Sequence, residues 1–487
     1  MVSFNVIPNG LREPSVLTEV DGSKAQQGPS IQTYVILVVG QMTSGTWTPL
    51  TQNLATSAEQ VRLGAGEGSM LALMAEKLFD VNKVTKAVFL SQADDGGAVA
   101  ATKTITVTGT ATEAGTLFLY VNGVRITVAV ASGDVQNDIA AAIDAAISAA
   151  DNLPYTNGVG TNVVTLTARN SGAAANDLDV RTNYFAGETT PAGVTVVIAD
   201  GVTGTTDPDI SDVWPVIGDT WYNLLAVGYD PGQAATLNSL DTELDDRFGP
   251  LRAIDAHAIL AKRETHANLI TLGDSRNGEH VTILPVAGPN APFEWAAQAT
   301  GQIALRAQAD PARPYRLMPL STLLAPDDTE LFTYQENNLL LGDGISTYVV
   351  DDGGVVRLSR IITTYQTNAA SAPDTAFLQL ETMLSLSYIR FDFRTAHELA
   401  FPSVKLVTDA SRLAPGQAVI SPAIGAAFAV NRARLWEELG IIENAEQFKK
   451  DLVVERPSAD PTRLDYLLPP DLVNQLFITA ARFEFRL

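Results

Sequence analysis

At 487 residues, with 46% hydrophobic and 18% charged side chains, the chain has the makeup of a folded protein of two to four domains, neither disordered nor a small stapled scaffold. It has no cysteine, which excludes disulfides, thiolate nucleophiles and Cys-ligated zinc or iron–sulfur centres. A net charge of −23 argues against direct nucleic-acid binding, which rests on clustered Lys and Arg.

The charge is unevenly spread. From Arg357 onward, fourteen Lys and Arg face fifteen Asp and Glu, so a balance of −22 falls on the residues before it. The last third can therefore meet copies of itself without strong repulsion, while the rest resists casual association. Met1 to Gly10 shows no basic start followed by an apolar core, and runs such as Val35–Val39 fall far short of the ~20 residues a membrane span needs. The expectation is synthesis in the cytoplasm and no membrane insertion.

Residues 1–30 are dense in Pro and Gly around one strand-like piece, Val16-Leu17-Thr18-Glu19-Val20, and read as an extended arm. The run Tyr34–Val39, closed by Gly40, suits a strand covered on both faces of an α/β layer. Helices are predicted over Ser57–Leu63 and Ser69–Phe79, and a second strand over Lys86–Leu90. The glycine-rich link Gly64-Ala65-Gly66-Glu67-Gly68 lacks a preceding strand and a G-K-[ST], so it reads as a tight helix–helix connection rather than a phosphate cradle.

Composition changes at Asp94–Gly97. From Ala101 to Ile210 there is no His or Trp, and four Lys and Arg stand against eleven Asp and Glu. Short alternating strands are predicted at Thr104–Thr108, Thr116–Val121, Arg125–Val130, Val163–Ala168 and Val194–Ile198, with a hairpin at Asn122-Gly123 and one helix over Val135–Ala150. This is expected to be an inserted β-rich surface domain, and its excision from about Gly97 to Asp209 is expected to spare assembly. The α/β rhythm then resumes with a strand at Leu224–Val227, a helix at Ala234–Phe248 and a strand at Ala258–Leu260.

Catalytic constellations are weak. Gly273-Asp274-Ser275-Arg276-Asn277 misses the G-x-S-x-G elbow by one glycine, and a triad of Ser275, His280 and Asp255 or Asp274 has no elbow to mount it. No His pair has the i, i+4 zinc spacing around a Glu. Neither a catalytic residue, a cofactor nor a metal is assigned. Further on, a long helix is predicted from Asp374 as N-cap, with Phe377, Leu380 and Leu384 on one face, and another over Val430–Leu439.

The chain end is unusual. Phe483, Phe485 and Leu487 alternate with Arg482, Glu484 and Arg486, the period of a half-buried strand. Burying each apolar side chain gains roughly 1.5–3 kcal/mol, whereas fixing the backbone costs about 1–2 kcal/mol per residue. Burial alone does not order the segment, so it needs hydrogen bonds from another strand, in the same fold or in another copy.

The segments Val355–Thr367, Gln335–Leu341, Val454-Glu455-Arg456 through Asp465, and Pro470–Gln475, together with Phe4–Val20, Asp246–Leu251 and Gly273–Gly278, resemble the tail sheath proteins of contractile-tailed phages, nearest the Mu-like branch. The resemblance covers nearly the whole chain, and the assignment does not rely on the insert. It implies an α/β (α+β) sheath core in two parts (31–96 and 211–350) around the 97–210 insert, a polymerisation domain at 351–474, an N-terminal arm at 1–30 and a C-terminal strand arm at 475–487. It further implies stacked six-fold rings forming a helical tube around a tail tube protein, with baseplate and tail terminator proteins as further partners. Each arm would add a strand to a neighbour: Val16, Leu17, Val20, Phe483, Phe485 and Leu487 are the expected donors, and Val355, Arg357, Leu358 and Ile361 the expected acceptors. The expected function is a sheath that contracts to drive the tube through a host envelope, in the virion tail or in a phage-derived device lacking a capsid. A hydrolase or a surface-binding module is the remaining alternative.

Overall fold

A computed structural model gives the structure of the chain over residues 32–411 and 416–486. In chain order, β1 (Val35–Gln41) and β2 (Gln52–Ala55) precede α1 (Ala58–Ala65) and α2 (Met70–Val81), and β3 (Lys86–Gln92) follows. The insert then supplies β4 (Thr102–Gly109), β5 (Gly115–Val121), β6 (Val124–Val130), α3 (Gln136–Ser148), β7 (Tyr155–Gly160), β8 (Val163–Ala168), β9 (Val180–Thr182) and β10 (Val194–Asp200). After α4 (Val213–Ile217) come β11 (Leu224–Val227), α5 (Ala234–Phe248), β12 (His257–Arg263), α6 (His266–Asp274), β13 (Val281–Val286) and α7 (Pro292–Ala309).

Strands from before and after the insert form one six-stranded sheet in the order β13-β12-β11-β1-β3-β2. β1 lies inside it, parallel to β11 and β3. That position explains its unbroken apolar run, because a strand covered on both faces has no polar side. β13 takes an edge, where Pro285 can lack an N–H without breaking a ladder on both sides.

The insert folds as two antiparallel sheets, β10-β4-β8-β7 and β6-β5-β9, with Ile139, Ala140, Ile143 and Ile147 of α3 buried. Asn122 and Gly123 take φ of 48° and 78°, the left-handed pair that a tight hairpin turn needs. The insert is not a loose surface spacer, because its asparagines reach into the α/β layer. Asn122 donates to Glu294 at 2.8 Å and accepts from the Ala291 N–H at 2.9 Å. Asn152 accepts from the Gly68 N–H and Asn170 from the Met70 N–H, so the donors of the glycine-rich link and the start of α2 are engaged by protein. Lys262 lies between Asp230 at 2.9 Å and the insert's Asp177 at 3.2 Å, and burial pushes Asp177 up to about 6.

The chain continues through β14 (Pro319–Leu320), α8 (Tyr334–Gly342), β15 (Thr347–Val350) and β16 (Val356–Arg360) to α9 (Leu380–Ala400). The helix predicted from Asp374 starts six residues later. Residues before it pair backwards instead: Ile362 bridges Gln379, the Thr363 N–H donates to the Leu378 carbonyl, and the Tyr365 hydroxyl donates to Asp374 at 2.6 Å. Asp374 is thus held by a tyrosine rather than by a helix end.

The chain divides into two compact units within α9: the larger takes in Gln32–Ile389 and the segment from Leu472, the smaller Arg390–Asp471. The boundary drawn at 351 differs, because Tyr348, Val356 and Leu358 belong to the hydrophobic core of the larger unit. The smaller unit holds β17 (Lys405–Leu406), β18 (Val419–Ile420), α10 (Pro422–Glu438), β19 (Ile442–Glu443), α11 (Ala445–Asp451), β20 (Val453–Glu455) and β21 (Asp465–Leu467). At its centre Arg432 grips Asp392 with two nitrogens, and Trp436 donates to the same carboxylate at 2.7 Å. Burying that charge is tolerable only because its oxygens are engaged.

Candidate assembly interface

β20 and β21 form a two-stranded antiparallel sheet, with Val453 opposite Leu467 and Val454 opposite Tyr466. Each strand therefore keeps one edge unpaired among the described residues. Val453 and Leu467 are 46% and 62% exposed, leaving an apolar pair beside open backbone groups. Such an edge is a template for another strand. Tyr466 projects into the smaller unit, where its ring packs on Phe393 and His397 with centroids 5.3 and 5.7 Å away.

The C-terminal segment has two parts. Val473, Gln475 and Phe477 are half-buried, and Asn474, Leu476 and Ile478 between them are exposed. Gln475 donates to the Ala312 carbonyl at 3.3 Å, and the Arg360 guanidinium stands 4.7 Å from the Phe477 ring centroid. From Ile478 to Arg486 every residue is exposed and no helix or strand forms. Phe483 is 92% exposed and Phe485 82%. Arg482 and Glu484, two apart, pair at 2.7 Å, as neighbours on one side of an extended chain do.

The acceptor residues require correction. β16 is the central strand of the sheet β14-β16-β15, and Arg357 pairs with Pro319 on one side and Val349 on the other. The Leu358 N–H and carbonyl are bonded to Met318 and Leu317. Ile361 is buried and Val355 donates to Asp351 in the turn before β16. With both edges of this strand occupied, an incoming strand would first have to displace one already paired. Sequence reasoning missed β14, because two residues, one a proline, leave no alternation to detect. The donors Val16, Leu17, Val20 and Leu487 lie outside the described residues.

The hydrolase alternative gains nothing from the site it named. Ser275 is exposed and its hydroxyl donates to the Leu272 carbonyl at 2.7 Å, while His280 is buried with its ring 4.8 Å from that of Phe248. The nearby cleft is lined by Asp241, Asp245 and Glu279, and burial pushes Asp241 up to about 6. Ligand atoms of Asp245, Glu279 and His280 lie within 4.8 Å of one another. Among the described residues no helix is long and apolar enough to cross a membrane.

Two family models match the chain: the phage tail sheath protein central domain over residues 203–364 and the phage tail sheath C-terminal domain over residues 372–486. The chain is 34% identical over 497 aligned residues, covering 99% of both proteins, to the Mu-like prophage FluMu tail sheath protein of Haemophilus influenzae. Solved structures similar to it include a sheath tail protein of Desulfitobacterium hafniense, with 12% identity, coverage of 94% of this chain and 100% of that one, and a TM-score of 0.47. The contracted sheath of an extracellular contractile injection system, PVC, aligns at 9% identity over 97% and 98% of the two chains, with a TM-score of 0.48.

Proposed function

This chain belongs to the phage tail sheath family, as a structural subunit of a contractile tail, and we propose that it polymerises by laying its C-terminal strand on the open β20–β21 sheet of a neighbouring copy. The observation that carries this is complementarity between two parts of one chain. An exposed run with Phe483 and Phe485 on alternate positions meets an apolar sheet edge at Val453 and Leu467. Addition supplies the backbone bonds that the segment lacks alone, and each phenylalanine covered adds about 1.5–3 kcal/mol.

A contact between different surfaces of identical copies gives a ring where the rotation closes and an open helical tube where it does not. The N-terminal Val16–Val20 is the matching donor on the other side, which makes a two-arm mesh of stacked six-fold rings. The tail tube protein is the partner inside the tube, with baseplate and tail terminator proteins at its ends, and assembly takes place in the host cytoplasm. Contraction then reorients the bodies of the subunits while the arm pairings persist. Electron microscopy of the purified chain tests this reading: tubes or stacked rings are expected, and removal of Ile478–Leu487 is expected to leave folded monomers. Tubes that form without those residues would refute the strand addition.

A further inference from the structure

β21 is positioned by a side chain, not only by its partner strand. Tyr466 leaves it to enter a box made by Phe393 and His397 on α9, Phe401 just after that helix and Phe428 on α10. His397 stands at the centre, with the four ring centroids between 5.0 and 5.8 Å from its own. Its Nε2 lies 3.2 Å from the Tyr466 hydroxyl. α10 leaves room for that hydroxyl because residue 425 is glycine; a Cβ there would come within 2.6 Å of it.

Resting on the strand-addition reading, we propose that His397 and Tyr466 form an acid-sensitive latch on the acceptor strand: protonating His397 frees β21 to shift and weakens the joint between subunits. The neutral ring offers Nε2 as the acceptor for the tyrosine O–H. A protonated ring has only donors and brings a charge into an aromatic box. Burial holds His397 below the usual histidine range, and the Glu398 carboxylate on α9 pulls the other way. Burial also pushes Tyr466 up to about 12, so it stays a neutral donor. Of the other ionisable groups on elements packed there, Asp465 is paired with Arg463, and Arg432 of α10 is engaged by Asp392. A folded pKa below the unfolded one means that the folded chain binds fewer protons. The latch is therefore fully closed above about pH 6.5 and opens as pH falls through the lowered value.

The test uses full-length chain polymerised at about pH 8 and stepped to about pH 5, a range that spans histidine titration. Polymer is read by sedimentation and electron microscopy, and motion of the strand by hydrogen exchange over residues 453–467. Wild type is expected to lose polymer as pH falls across the range, while His397→Phe stays flat. If His397→Phe does not fold, His397→Gln keeps an acceptor for Tyr466 without titrating and must give the flat profile. Identical profiles for wild type and the folded variant overturn the latch. If no polymer forms at any pH, the strand-addition reading fails and exchange decides the latch: protection lost with acid in wild type alone supports it, and equal protection overturns it.

Discussion

Asn122→Ala is a sharp probe of how the insert is joined to the rest of the larger unit. Asn122 is 2% exposed, and its side chain makes two bonds: to Glu294 in the first turn of α7, and from the Ala291 N–H that opens that helix. Losing the donor to a buried carboxylate costs about 1.5–3 kcal/mol, and leaving the Ala291 N–H without its acceptor about 1–3 kcal/mol. Alanine at a φ of 48° adds roughly 1 kcal/mol. The variant is expected to lose about 3.5–7 kcal/mol, most of it local to the junction. Urea denaturation followed by tryptophan fluorescence measures this, because Trp295 is fully buried beside Glu294. A loss under about 1 kcal/mol, within the range of an ordinary surface substitution, would refute the argument that these bonds hold the insert in place.

Asp392→Ala removes the carboxylate that Arg432 and Trp436 share, and is expected to destabilise the smaller unit by about 3–5 kcal/mol, read as a lower urea midpoint and a shift in Trp436 emission. Glu294 and Glu381 are both pushed to about 7 by burial, so the folded chain holds protons that the unfolded chain releases above about 4.5. Stability is expected to fall as pH rises from about 4.5 through about 7, and denaturation midpoints across that range check the sign. Phe477→Ala takes the ring from Arg360 and is expected to speed hydrogen exchange over residues 473–477, by the factor that a contact of roughly 1–2 kcal/mol protects, without unfolding the larger unit.

Much of the α/β layer was legible because its signals are local. The continuous run of β1, the 3.6-residue spacing of α5 and the Asn122-Gly123 turn each carry their geometry within a few residues. The β13 strand and α7 went unread, and the helix start at Leu380 was misplaced because Tyr365 captures Asp374 from across a turn. Alternation singled out the C-terminal segment, whose Phe483 and Phe485 are exposed, as the donor of the proposed joint, but the acceptor was assigned to β16, whose edges are filled by β15 and the two-residue β14. The box around Tyr466 draws on residues from Phe393 to Tyr466, and no window of sequence contains it. The insert's junction is equally distant: Asn170 caps a helix 100 residues earlier. With Glu294, Gly68 and Met70 depending on it, clean excision of the insert is no longer the expected outcome.

The division of the C-terminal segment at Phe477 fixes a length. Between that root and the alternating run that starts at Arg482 lie the four residues Ile478–Ala481, which fully extended span at most about 13–14 Å. Under the proposed strand addition, those residues form an inextensible leash between the Arg360 clasp of one subunit and the sheet edge of the next. Subunits joined this way can turn and slide within that radius but cannot separate past it without tearing out a strand. A large change in the shape of the whole tube must accordingly be divided into many small rotations, one at each tether.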